Sequence, residues 1–349
     1  MESLSKGVHL PEQNYPVDIS FLDYNTLRKS TEDFMACLET NSPSDNWLVL
    51  PSGAKAKVTH SNIGRLSLYD DGDPLHTVLA LYAPECDSHV VALYLSGKWW
   101  MVNDVLKTSN TSRSGLITVQ SVGERVVLFL LSQVIFGALE RPPDENMYFS
   151  PHPAGEVAKI LWQDGAASGF YTVKQKGTLC NSGSSQSYLL PVLDTLFVRT
   201  RFRRRGLALQ MLEDFCTSYS NEEVVGISRP LSSGMYQVCR KYLQVHEKDR
   251  DRLYEVEAPG GWAQRRNVWL SIQLGRHSTN NSNHEQNLSE GKRESKMASE
   301  EEKLQVPDCP NAASMDSICK PERNSSWKRK GETTEEKDSE HSKQARMLN

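Results

Sequence analysis

The sequence predicts an α/β fold: a mixed sheet flanked by helices, with a β-rich N-terminal extension and a disordered C-terminal tail. Three observations carry this expectation. Short β-prone runs crowd residues 47–103, strand and helix patterns alternate from Glu156 to Ile272, and apolar residues become sparse after Gly275.

Taken in order, Tyr24 to Leu38 places Leu27, Phe34 and Leu38 at helical spacing. Five β-prone runs follow: Trp47–Leu50, Gly64–Tyr69, Thr77–Tyr82, Val90–Leu95 and Lys98–Val102. Pro51-Ser-Gly53 and Asp70-Asp-Gly-Asp-Pro74 punctuate them, and Ser96-Gly97 predicts a tight hairpin. Gly115 to Glu140 is long and apolar and predicts one buried helix, capped near Ser112 or Ser114 and ended by Pro142-Pro143. Val157–Trp162 and Gly169–Val173, joined through Gln163-Asp-Gly165, predict a second hairpin. Tyr188–Val198 reads as a strand and Arg204–Tyr219 as an amphipathic helix. Glu223–Ile227 is the next strand and Leu231–Val245 the next helix. Leu253–Glu257 and Asn267–Ile272 complete the pattern as two more strands. This divides the chain into a β-rich region 1–110, an α/β domain 111–275 and a polar tail 276–349. The first two are expected to share one core, because no linker-like stretch separates them apart from Ser109–Ser114.

Between His277 and Asn349 only six residues are Val, Ile, Leu, Phe, Trp or Tyr, against 12 basic and 14 acidic ones. Such a segment buries too little apolar surface to offset the entropy of ordering. Its cluster Lys328-Arg329-Lys330 has the composition of an import signal, and equally of a solvated linker. The whole chain has 349 residues and a formal charge of −4, which excludes a generally basic nucleic-acid binder. The stretch Val126–Leu139, 14 residues, is too short to span a bilayer. Seven cysteines show no paired spacing and no secretory leader precedes them, so they read as free thiols of the nucleus or cytoplasm. The nine histidines show no metal-ligand spacing, and no metal is expected.

Chemistry concentrates in Leu196-Phe-Val-Arg-Thr-Arg-Phe-Arg-Arg-Arg-Gly-Leu-Ala-Leu-Gln-Met-Leu212. A strand ends at Val198, a polar loop follows, and Gly206 opens an amphipathic helix. The first N–H groups of a helix lack intrahelical partners and its dipole is positive there, so this junction favours an anion. Gly206 and Ala208 leave the backbone approachable, and Arg203, Arg204 and Arg205 supply charge suited to a pyrophosphate. The same basic run also suits a solvated surface or a nucleic-acid backbone.

Arg203-x-x-Gly206-x-Ala208 after a strand resembles the acyl-CoA pyrophosphate loop of the GNAT superfamily of N-acetyltransferases. The flanking order of elements is similar to the GNAT core over roughly residues 112–273. More narrowly, Ala158–Trp162, Leu190–Thr195, Met211–Phe215, Pro230–Ser233 and Tyr254–Glu257 resemble the small vertebrate family that includes the soluble lamin-associated protein. The resemblance implies a GNAT-like fold with acetyl-CoA held by the backbone of Leu196, Phe197 and Val198 and by the loop Arg203, Arg204, Arg205, Gly206, Leu207 and Ala208. An amine acceptor, such as a protein lysine or N-terminus, would then need a base, for which Asp194 is the candidate, and an acid to protonate the thiolate. Many family members use a Tyr seven residues after an Asn for that acid. The spacing falls here on Val238, flanked by the candidates Tyr236 and Tyr242.

That departure keeps a second class open: a non-catalytic GNAT-fold interaction module holding a nuclear or nuclear-envelope protein. Neither reading calls for a membrane span or a sequence-specific nucleic-acid partner. Trp99-Trp100 has no interleaved basic residues beyond Lys98 and reads as core and rim. Cys180, Ser184 and Ser185 lie in a loop without the local signature of a hydrolase nucleophile.

Overall fold

The structure, a computed structural model, describes residues 15–40, 47–50, 53–83, 86–140, 150–180 and 185–275, with backbone only for 86–88. Pro142-Pro143, Ser184 and the whole tail 276–349 lie outside the described residues.

Among the described residues the strands form three sheets. After helix α1 (Tyr24–Thr40), β1 (Trp47–Val49) and β2 (Lys55–Lys57) make a short ribbon. β3 (Ile63–Ser67), β4 (Thr77–Ala83), β5 (Cys86–Leu95) and β6 (Lys98–Met101) form an antiparallel four-stranded sheet, its last hairpin turning at Ser96-Gly97 as the sequence predicts. A short helix, α2 (Val102–Val105), leads to the larger sheet. That sheet has the order β13-β12-β11-β10-β9-β8-β7.

The expected single helix from Gly115 to Glu140 is instead a strand and then a helix. β7 (Gly115–Thr118) pairs with β8 (Val157–Gln163), and α3 (Val122–Phe129) begins only at Ser121. The reason is local: the Ser121 hydroxyl accepts from the Glu124 N–H while the Glu124 carboxylate accepts from Ser121 N–H, a capping box. The helix continues with π-helical turns over Leu130–Leu139. Val122–Leu139 is therefore 18 residues, long and apolar enough to cross a membrane, contrary to the shorter stretch read from sequence. Yet 61% of it is buried inside the protein, as in a core helix.

β8 and β9 (Ala166–Lys174) form the expected hairpin, turned by Asp164 and Gly165 at φ +49° and +76°. β10 is shorter than the sequence pattern, Val192–Val198, and antiparallel to β9. α4 (Leu207–Ser218), β11 (Val225–Ser228), α5 (Ser233–Val245) and β12 (Leu253–Val256) follow, with β10, β11 and β12 mutually parallel. The last predicted strand is a correction too. Only β13 (Arg265–Asn267) is extended, and Val268–Gln273 is a helix, α6. Asn267 caps it by accepting from the Leu270 N–H, and Val268 and Ile272, four apart, both turn into the core.

Two large cores result. One joins Leu27, Leu68, Val78 and Leu93 of the N-terminal region to Val126–Leu131, Ile160 and Phe170. The other, on the opposite face of β9, packs Tyr171 and Val173 against α4, α5 and α6 through Met211, Phe215, Tyr242 and Ile272. Cys216 and Cys239 lie in this second core, and burial pushes both thiols up. They are core residues, as expected.

Candidate functional site

The strand β10 ends at Val198, a single turn spans Thr200–Phe202, and α4 starts after Gly206. Gly206 is left-handed, φ +79°, and no side chain caps the helix. A Cβ built on it meets nothing within 4 Å, so open space faces the helix N-terminus. Arg204 is left-handed as well, φ +67°, a strained conformation for a residue with a Cβ. Arg203, Arg204 and Arg205 are exposed, and none is ion-paired among the described residues. Arg203 Nε donates to the Val198 carbonyl at 2.8 Å, which ties the loop to the strand end. Leu207, Phe197 and Val198 are buried anchors, with Leu196 and Ala208 half-buried. The loop is thus a cationic N-terminus on a rigid junction, able to receive an anion.

Beside it the sheet opens. β10 pairs with β11 only at Val192 with Gly226 and Leu193 with Ile227. From Asp194 to Val198 no ladder joins the two strands, although β10 continues to pair with β9 on its other side. The parting coincides with a bulge between Leu193 and Thr195, which gives Asp194 no register partner on β9. Such a crevice at the carboxyl ends of parallel strands is where ligands of open α/β sheets bind.

Asp194 stands at this fork, and Ser228 Oγ donates to its Oδ1 at 2.8 Å. His152 and Glu156 converge on it: one donor atom of each of the three lies within 4.8 Å of the others. His152 Nδ1 is 3.4 Å from Glu156 Oε1, and the Lys174 ammonium donates to Glu156 Oε2. The Glu156 side chain is 1% exposed. Burial pushes its carboxyl up, but His152 and Lys174 more than reverse this and hold it well below the usual carboxylate range. Arg125, buried in α3, donates to the His152 carbonyl, and Glu156 stabilises its charge. Lys174 and Arg125 therefore both set positive charge against Glu156. His152 Nε2 and Thr172 Oγ1 are buried without a hydrogen-bond partner.

The tyrosine candidates are engaged elsewhere. Tyr236 on α5 donates to Glu255 at 2.9 Å, and burial together with that carboxylate pushes its hydroxyl up to about 12. Tyr242 is in the second core, where it donates to Asp249 and burial raises it further. Asp194 thus stands near the start of β10, where it parts from β11, the loop follows the other end of the same strand, and Tyr242 is left out. Asp214, on α4, accepts from Tyr171 and from Lys159 at 2.7 Å.

Sequence reasoning missed His152, Glu156, Lys174 and Ser228. The available signals were the four-residue spacing of His152 and Glu156 and the alternation that sets Thr172 and Lys174 on one face of a strand.

No family model matches the chain. It is 44% identical over 266 residues to protein FAM169B of Mus musculus, covering 75% of this chain and 79% of that relative. It is 46% identical over 156 residues to protein FAM169BP of Homo sapiens, covering 42% of this chain and 80% of that relative. With that identity along most of both sequences, the chain belongs to the FAM169B family.

Proposed function

We propose that this protein binds an acyl-CoA and transfers its acyl group to an amine, in a GNAT-like manner. The pyrophosphate lies on Arg203–Ala208 and the pantetheine arm runs between β10 and β11 along the backbone of Leu196–Val198. The observation that carries this reading is the fork: β10 leaves β11 after Leu193 and runs on unpaired on that side to Val198, from which the loop leads to a helix N-terminus with open space at Gly206. An extended ligand with an anionic end fits a gap between strands that ends in a cationic loop. Asp194 at the bulge is the group placed to take the proton an ammonium must lose before its nitrogen attacks the thioester carbonyl. Tyr236, its hydroxyl held by Glu255, is the acid candidate for the departing thiolate.

A second reading has its own observation. Both tyrosine hydroxyls are committed to carboxylates, Tyr236 to Glu255 and Tyr242 to Asp249, which favours a module that binds without turnover.

Calorimetric titration of acetyl-CoA into the whole chain, beside Gly206→Trp, tests the cofactor site. The expected result is micromolar binding by the wild type and none by the variant. A ligand at a hundredfold excess over Kd also stabilises the fold by about 2.7 kcal/mol, visible as a thermal shift. A folded wild type that ignores acetyl-CoA overturns the proposal. Binding without thiol release in the presence of lysine peptides or polyamines selects the second reading.

A further inference from the structure

A cavity of about 370 Å³ opens between the N-terminal sheet and the end of the long helix, and no residue of the Arg203–Ala208 loop lines it. Its walls are largely apolar and include Val90 from β5, Val102 from α2, and Ile135 and Leu139 from the helix. Among the described residues two basic side chains line it: His89, which is exposed, and Arg199, the first residue after β10, only 4% exposed. Its Nη1 donates to the Ala167 carbonyl at 3.2 Å, and Nη2 lies 3.4 Å from Asn103 Oδ1. Its Nε is buried and has no hydrogen-bond partner. Among the described residues no carboxylate pairs with it. Glu140 lines the same cavity, but its Oε2 accepts from the Thr200 N–H at 2.5 Å and the Thr200 hydroxyl at 2.8 Å.

Glu140 stabilises the Arg199 charge only from beyond ion-pair distance, since among the described residues no carboxylate reaches the guanidinium. A buried guanidinium so weakly compensated is costly, and an anion shaped for its planar fork would pair it directly. Burial, with Arg201 nearby, pushes Arg199 down to about 10, and the Glu140 charge opposes this without reversing it. The apolar walls specify the rest of the guest, since pockets of this size take molecules with an apolar body oriented by a few polar groups.

We infer that this cavity binds a small monocarboxylate with an apolar body, the carboxylate on Arg199 and the body against Val90, Val102, Ile135 and Leu139. The site is separate from the acyl-CoA loop and does not rest on the proposed transfer.

The test titrates octanoate, octanol and octylamine into the whole chain, read by calorimetry and thermal shift. Octanoate should bind saturably at one site and raise the melting temperature, octanol should bind at least tenfold more weakly, and octylamine should not bind. Equal responses to the acid and the amine, or no response to octanoate, overturn the inference. Leu139→Trp, at the rim and 42% exposed, should fill the mouth. It should weaken octanoate at least tenfold and leave the acetyl-CoA response unchanged; unaltered octanoate affinity counts against the site. Arg199→Met should make octanoate and octanol bind alike. Should that variant not fold, the ligand series and Leu139→Trp decide alone.

Discussion

Gly169→Ala is expected to destabilise the protein by about 3 kcal/mol or more, as overpacking against backbone does. A Cβ on Gly169 would sit 2.4 Å from the Phe197 carbonyl oxygen, 3.2 Å from Val198 Cα and 2.9 Å from Met211 Cε. The methionine can yield, but the other two contacts are main chain of β10, paired with β9 at this point. Relief requires the end of β10 to move, and that end carries the loop to α4. Acetyl-CoA binding should therefore fall together with the urea midpoint. Gly155→Ala is the control, because a Cβ there meets nothing within 4 Å. It should stay within about 0.5 kcal/mol of the wild type. A Gly169→Ala midpoint equal to that of the control would show that β9 and β10 are not so closely packed.

Glu156→Gln is the second large effect, about 3 kcal/mol, because it leaves the Lys174 ammonium beside His152 and Arg125 without its carboxylate. The amide is nearly isosteric, so packing is retained and the loss is electrostatic. pH separates this from a packing defect. The Glu156 carboxyl is held below its ordinary value of 4.5, so the unfolded chain binds a proton at this position that the folded one refuses. Its stabilisation is fully present above about pH 4.5 and is lost as pH falls toward the depressed folded value. The difference between wild type and variant, measured by urea unfolding, should be largest at pH 7 and shrink progressively below 4.5. A difference that does not vary with pH would remove the charge from the explanation.

The local half of this architecture is legible in the sequence. Ser96-Gly97 and Asp164-Gly165 announce hairpins because few residues tolerate their backbone angles. The strand–loop–Gly206–helix junction is visible because its parts are consecutive. Two boundaries escaped for an equally local reason: Ser121 and Asn267 each stand as the N-cap before a β-branched apolar run, Val122 onward and Val268 to Ile272, which reads as strand as readily as helix. The rest is not local. His152 with Glu156, then Lys174, Asp194 and Ser228, come from four places in the chain and meet only through β-pairing and the loops that flank it. The parting of β10 from β11 coincides with a bulge at Leu193–Thr195 that no side-chain pattern encodes. Arg199 reads as one more member of a basic run, yet it alone among those arginines is drawn into the interior.

The core that joins Leu27, Leu68, Val78 and Leu93 to Val126–Leu131 and Phe170 also bears on how this chain can be cut or exchanged. Neither half owns that interior. A fragment beginning near residue 111 would present the bare face of its longest helix to water and adhere to whatever apolar surface it met. A fragment ending there would lack the wall on which its small sheet rests. The two regions should melt in one transition and protect their amides from exchange together, and neither is a module that evolution can graft onto an unrelated chain.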